Sequence, residues 1–253
     1  MERPDLRFHR TAPSRLTAPP ISRKDPSCAL TWHYSLIRLV YCAVLYLATP
    51  SGDDVRAAMR AGLLACMTTP AQGNVIPPGC LYACDNGKFG KGWPGEQAWF
   101  AWLKATVDRY GRDRCLWAVA PDVPMDAAAT LTESLPWLEP IRSLGIPAAF
   151  AAQDGSEHSL IPWDLIDVLF LAGSTEWKTS PSAHRLALDA RERGLAVHMG
   201  RVNSRRRLRI AQAFGCTSAD GTYLAFGPDT NLPRLLAWMN ELHTTPTLFG
   251  DDT

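Results

Sequence analysis

Nothing in this chain of 253 residues is long and apolar enough to span a bilayer. The best stretch, residues 36–48, is short and carries Arg38. It also lies too far behind a polar leader to serve as a secretory signal. An excess of one charge is missing as well. The 26 Lys+Arg and 25 Asp+Glu leave a net charge of +1, so overall charge names no partner. No Cys-x-x-Cys occurs among Cys28, Cys42, Cys66, Cys80, Cys84, Cys115 and Cys216, so a structural zinc cluster has no sequence support. Their odd number, with several in apolar strand-like runs, reads as reduced, buried thiols in a cytoplasmic protein. No internal repeat of fixed period is evident.

What is present suits one α/β domain: the chain is 46% hydrophobic and 20% charged. Residues 1–30 are rich in Pro, Arg and Ser without apolar periodicity, and read as a disordered, basic leader or as an extension from an upstream start codon. From about residue 40 to 245 apolar runs alternate with amphipathic stretches. The runs are 42–48, 63–68, 80–84, 115–120, 148–152, 168–172, 196–200 and a weak one at 217–220. Most are near-continuously apolar, as strands covered on both faces should be. Between them the pattern predicts helices over 53–65, 95–110, 125–144 (interrupted by Pro136 and Pro140), 182–193, 204–214 and 232–242. Residues 69–79 hold Pro70, Gly73, Pro77, Pro78 and Gly79, so a loop is expected in place of the helix between the second and third strands. Eight strands alternating with helices predict a (β/α)₈ TIM barrel with a flexible N-terminal leader.

The distribution of carboxylates carries the chemistry. Asp85, Asp122 and Asp220 each follow a predicted strand where the apolar run gives way to Gly or Pro, and Gln153 occupies the same kind of place. A barrel gathers such positions at the mouth formed by the carboxyl ends of its strands, where active sites form. Each also has a plainer reading, since Asp, Asn and Gly favour turns.

The ordered set resembles the tRNA-guanine transglycosylase superfamily over about residues 42–240. The segments that carry the resemblance are Asp85-Asn86-Gly87-Lys88-Phe89, Ala120-Pro121-Asp122, Gln153-Asp154-Gly155, Leu171-Ala172-Gly173-Ser174-Thr175-Glu176, Met199-Gly200-Arg201-Val202 and Gly215-Cys216-Thr217-Ser218-Ala219-Asp220. Asn86 and Lys88 stand where the tRNA enzymes usually have Ser and Gly. The cysteine/histidine zinc segment that helps those enzymes hold tRNA has no counterpart after Asp220. The compact, zinc-less form is closer to the phage and bacterial DNA 7-deazaguanine transglycosylases, the DpdA family.

The resemblance implies replacement of guanine in DNA by a 7-deazaguanine, with no cofactor and no metal. Asp220 would be the nucleophile at C1′, and Asp85 the acid and then base. Asp122, Gln153 and the Gly173–Ser174 backbone would bind the base. Such an exchange with retention needs two displacements through a covalent sugar–enzyme ester. DNA and the free 7-deazaguanine base are the expected partners; a paired guanine must leave the stack to react, and whether a helper protein opens the duplex is left open by the sequence. A tRNA substrate, a non-catalytic barrel that binds nucleic acid or a partner protein, and an unrelated barrel hydrolase of a small nucleoside are the alternatives. Arg201, Arg205 and Arg206, at the start of a helix capped by Ser204, form a candidate phosphate site or a solvated helix face. His198, in an apolar run, reads as a structural histidine before a catalytic one. Trp177, just after Gly173, reads as core or as a platform for a base.

Overall fold

A computed structural model describes residues 44–90 and 92–244. The predicted leader at 1–30, Cys28, Cys42 and most of the 36–48 stretch lie outside the described residues. Eight strands form a closed, all-parallel barrel in sequence order. They are β1 Leu45–Ala48, β2 Ala65–Thr68, β3 Tyr82–Cys84, β4 Cys115–Val119, β5 Ala148–Ala152, β6 Val168–Leu171, β7 Ala196–Met199 and β8 Ser218–Asp220. The register closes through Leu47 opposite Asp220. This is the (β/α)₈ architecture that the apolar runs predict, and every run holds one strand.

The helices are α1 Asp53–Arg60, α2 Glu96–Tyr110, α3 Ala127–Ser143, a single turn α4 Thr175–Lys178, α5 Pro181–Glu192, α6 Arg205–Ala213 and α7 Pro228–Thr244. No helix lies between β2 and β3, as the Pro/Gly density there requires. Each helix buries one stripe. In α2 it is Trp99, Leu103, Thr106 and Val107, and in α5 Ala183, Leu186, Ala187 and Ala190. The predicted break at Pro136 and Pro140 does not occur, and α3 runs through both. The two prolines are four residues apart, so the missing donors fall on one side of the helix. Pro136 is exposed there, while Ser134, Leu138 and Ile141 hold the opposite side against the barrel.

Two apolar layers result. The outer one, between sheet and helices, includes Tyr46, Tyr82, Trp99, Leu103 and Phe150. The inner one fills the barrel with Leu45, Leu47, Met67, Trp117, Val119 and Phe170. Register slips between β3 and β4, where Tyr82 faces Cys115 and Cys84 faces Ala118. The extra residue places both Leu116 and Trp117 in the inner layer. Cys66, Cys80, Cys84, Cys115 and Cys216 are buried and unbridged. Burial pushes the Cys66 thiol up to about 12 and Cys80 to about 11, which keeps them protonated and inert. No helix of the described residues is long and apolar enough to cross a membrane.

Candidate active site

The carboxyl ends of the strands bring the four predicted positions to one mouth. Asp85 immediately follows β3, Asp122 lies three residues beyond β4, Gln153 follows β5, and Asp220 ends β8. Gly173, Ser174 and Arg201 stand on the loops after β6 and β7. Arg205 and Arg206 do not join them. Arg205 bridges to Glu241 on α7 at 2.6 Å, and Arg209 pairs with the same carboxylate. Arg205, Arg206 and Arg209 line an open cleft on the outer face of α6. Of the three predicted arginines, Arg201 alone stands on a loop at the strand ends. Its backbone is held at φ 56°, a strained value for a side chain-bearing residue. The guanidinium donates to the carbonyls of Ala172 and Gly173 and lies 4.6 Å from the centre of the exposed Phe89 ring.

Asp85 is half-buried, and its Oδ1 accepts from the Gly87 N–H at 2.6 Å. Burial, reinforced by the charges of Asp220 and Asp122, raises its pKa from 3.8 to about 7, against the opposing pull of the Gly87 bond. A carboxyl that keeps its proton near neutrality can act as a general acid.

Asp122 is buried in a fixed frame. Asn86 Nδ2 donates to its Oδ1 at 2.8 Å and also to the Ala120 carbonyl, tying the end of β3 to the end of β4. Gln153 Nε2 donates to Oδ2 at 2.6 Å, while its Oε1 accepts from Met125 N. Both ends of Gln153 are thus used inside the protein, so it positions Asp122 rather than offering its own amide. Helix α3 completes the frame. Ser134 donates to the Pro121 carbonyl, and the Thr130 hydroxyl bonds both N–H and C=O of Val123. Burial raises the Asp122 pKa, partly countered by the Asn86 bond and the Lys88 charge.

The turn after β6 is ordered by Asp154, which accepts from both the N–H and the hydroxyl of Ser174 at 2.6 Å. Ser174 in turn caps α4 by accepting from Trp177 N. Its polar groups serve the turn, and the functional reading of Ser174 reduces to shaping it. Gly173 is needed for packing. A Cβ there would sit 2.5 Å from the Trp177 ring and 2.6 Å from Asp154 Oδ2. Trp177 itself is buried with Nε1 donating to Glu157, which makes it core rather than a base platform.

Asp220 has a partner the sequence reading ranks as structural. His198 is fully buried in the inner layer, its ring 4.6 Å from both Trp117 and Phe170. Its Nδ1 lies 2.8 Å from Ser218 Oγ and its Nε2 lies 3.0 Å from Asp220 Oδ1. A neutral imidazole protonated at Nε2 satisfies both: Ser218 donates to Nδ1, and Nε2–H donates to Asp220. That fixes the orientation of the carboxylate. Among the described residues no hydrogen bond occupies Asp220 Oδ2. Just beyond, Gly221 has no room for a side chain. A Cβ would meet Tyr46 Oη at 2.5 Å and the Val202 carbonyl at 2.8 Å. Tyr46 Oη donates to that carbonyl, and Val202 N donates to the Asp220 carbonyl, locking the end of β8.

Sequence reasoning missed Asn86, Asp154 and His198 as members of this mouth. Register supplies the signal for one of them: His198 pairs with Ser218. Strand alternation then puts Ser218 and Asp220 on the same side.

No family model matches the chain, and no curated protein does. Solved structures share its fold. The YdjI aldolase of Escherichia coli K12 is 11% identical over 84% of this chain and 90% of its own, with a TM-score of 0.50. An HpcH/HpaI aldolase of Desulfitobacterium hafniense DCB-2 is 13% identical over 86% of this chain and 98% of its own, at 0.45. The Bacillus subtilis YkuI protein, with an EAL domain, is 18% identical over 65% of this chain, at 0.42. This chain spans 44% of the YkuI chain's length. The likeness is one of fold, a TIM barrel found in enzymes of diverse chemistry.

Proposed function

We propose that the chain is a base-exchange transglycosylase that replaces guanine in DNA with a 7-deazaguanine through a covalent Asp220–sugar ester. The observation that carries this reading is the pair Asp85 and Asp220. They stand at one mouth, each within the other's field, in unlike surroundings. Asp85 keeps a proton near pH 7, whereas Asp220 receives a hydrogen bond from His198 on one oxygen, and among the described residues none occupies the other. Unlike environments for two carboxyl groups supply an acid and a nucleophile.

In the first displacement Asp220 Oδ2 bonds to C1′ and the bond from C1′ to N9 breaks. Its electron pair leaves with the guanine, which takes the proton of Asp85. In the second, the Asp85 carboxylate takes the N–H proton of the incoming base, whose nitrogen attacks C1′ and releases Asp220. Asp122 faces the base, its two oxygens accepting from the ring N–H and exocyclic amine of a guanine-like edge. Asn86 and Gln153 hold it in place. The nucleotide enters unpaired, since a base stacked in a duplex cannot reach a recessed site. Arg201, on the loop after β7, would meet a phosphate beside the reacting sugar.

The test is incubation of the full chain with labelled guanine and, in parallel, single-stranded DNA, duplex DNA or tRNA. Label should enter DNA and be lost with Asp220→Asn while DNA binding persists. Label entering tRNA alone would reassign the polymer. Exchange undiminished in Asp220→Asn, or no exchange with any polymer, would overturn the reading.

A further inference from the structure

Attack by one oxygen of Asp220 requires its carboxylate to stay aimed, yet the carboxylate is held at one point only. Among the described residues its side chain has a single hydrogen bond, from His198 Nε2 to Oδ1 at 3.0 Å. The side chain is 21% exposed, so packing alone does not fix it. Wherever the imidazole points, the nucleophile follows.

Two aromatic rings and one hydroxyl hold that imidazole. Register aligns Phe170 of β6 with His198 of β7, and His198 with Ser218 of β8, so the three side chains form one row across neighbouring strands inside the barrel. Phe170 meets the imidazole edge-on at 88° and Trp117 lies against it at 58°, both with ring centres 4.6 Å away. Gly200 makes room for this packing: a Cβ there would stand 2.7 Å from the Phe170 ring and 3.4 Å from Asp220 Oδ1. The two rings cover the imidazole without offering either nitrogen a partner, which leaves Ser218 for Nδ1 and Asp220 for Nε2. Ser218 is buried, and among the described residues His198 is the sole partner of its hydroxyl. The polarity of this chain runs one way. A carboxylate only accepts, so Nε2 carries the proton, Nδ1 must accept, and Ser218 is the donor.

We propose that Ser218 is a positioning residue that acts through His198 to hold the Asp220 carboxylate in line for attack at C1′. This rests on the base-exchange reading above. A buried acceptor left without a donor is costly. Without the Ser218 hydroxyl, Nδ1 recovers a partner only if the ring tips, and Nε2–H tips with it, away from Oδ1. In the first displacement Oδ2 bonds to C1′ while Oδ1 keeps the hydrogen bond from Nε2. In the ester, Oδ1 is the carbonyl oxygen and still accepts from Nε2–H, so the acyl group stays where the incoming base meets C1′. In the second displacement the bond from C1′ to Oδ2 breaks, its electron pair returns to Oδ2, and the carboxylate is again aimed. No proton moves on His198 or Ser218 in either step, which suits two groups shut off from solvent.

Two measurements test this. The first is NMR of the full chain carrying nitrogen-15 in its histidine rings, with the His198 signals identified by their loss in His198→Gln. They should show one ring proton, on Nε2, sharp in the native chain and in Ser218→Thr and broadened in Ser218→Ala. A proton on Nδ1, protons on both nitrogens, or a signal indifferent to Ser218→Ala would overturn the proposal. The second is the kinetics of labelled-guanine exchange into a guanine-containing oligodeoxynucleotide. Ser218→Ala should lower kcat about 10-fold, the scale of one lost hydrogen bond, with KM for the oligodeoxynucleotide unchanged. Ser218→Thr, which keeps the hydroxyl, should retain most of the native rate, whereas Ser218→Val, which matches Thr in shape, should not. Equal rates in the Thr and Val variants, or a raised KM at native kcat in Ser218→Ala, would overturn the proposal. If the two larger variants fail to fold, Ser218→Ala and its His198 signal decide. A native chain with the expected His198 signals that exchanges no base would overturn base exchange and leave the hold of Ser218 and His198 on Asp220 standing.

Discussion

Asp85→Asn should make the protein more stable and inactive at once, and the gain in stability should depend on pH. Asn preserves shape and can still accept from Gly87 N, so the substitution removes only the ionisable group. In the native chain burial holds the carboxyl near 7, above its ordinary 3.8. Below pH 3.8 the group is protonated folded or unfolded, and the variant and native chains differ little. Between these values the folded chain keeps a proton that the unfolded chain has lost. Native stability therefore falls, relative to the variant, as pH rises from about 4 to 7 and levels off above. The full shift corresponds to about 4 kcal/mol, and solvent access at the mouth lowers this to about 2 kcal/mol. For a domain of this size that is a difference in Tm of about 4–8 °C. Calorimetry at pH 4 and pH 8 reads it directly. A Tm difference between Asp85→Asn and the native chain that is the same at both pH values would refute the burial argument, and with it the general-acid assignment.

Other outcomes follow from the same geometry. Gly221→Ala places a methyl against Asn203, Tyr46 and Val202, and should cost about 1–3 kcal/mol in urea unfolding; a neutral result would mean that the β8 end is not locked. Arg201→Ala should weaken DNA binding, read by fluorescence anisotropy, whereas Arg205→Ala should leave it unchanged because that guanidinium is engaged by Glu241 on the outer helical layer. His198→Gln should lower exchange without abolishing it, since an amide can still donate to Asp220; loss as complete as in Asp220→Asn would make the histidine a reacting group.

The barrel was legible because parallel strands covered on both faces leave near-continuous apolar runs, and β5 matches its run at both ends. Helix boundaries were less so. The first helix stops at Arg60 rather than 65, because Gly62, at φ 74°, turns the chain into β2. The prolines of α3 suggested a break, since sequence alone does not say that both missing donors share one side of the helix. At the mouth, Asp85, Asp122, Gln153 and Asp220 were found because strand ends converge in any such barrel. Their individual tasks were not, because those depend on which hydrogen bonds the neighbours already use. Gln153 and Ser174 turn out to be committed to Asp122 and Asp154. The arginine cluster was divided by helix geometry, which sends Arg205 and Arg209, four residues apart, to the same glutamate.

The most direct test of the central claim is to quench a reaction of the full chain with guanine-containing DNA, digest it, and map the sugar-linked peptide by mass spectrometry. The account predicts one adduct, an ester on Asp220, formed by the native chain and absent from Asp220→Asn. Ongoing exchange with no such ester, or an adduct on Asp85 or any other side chain, would contradict it.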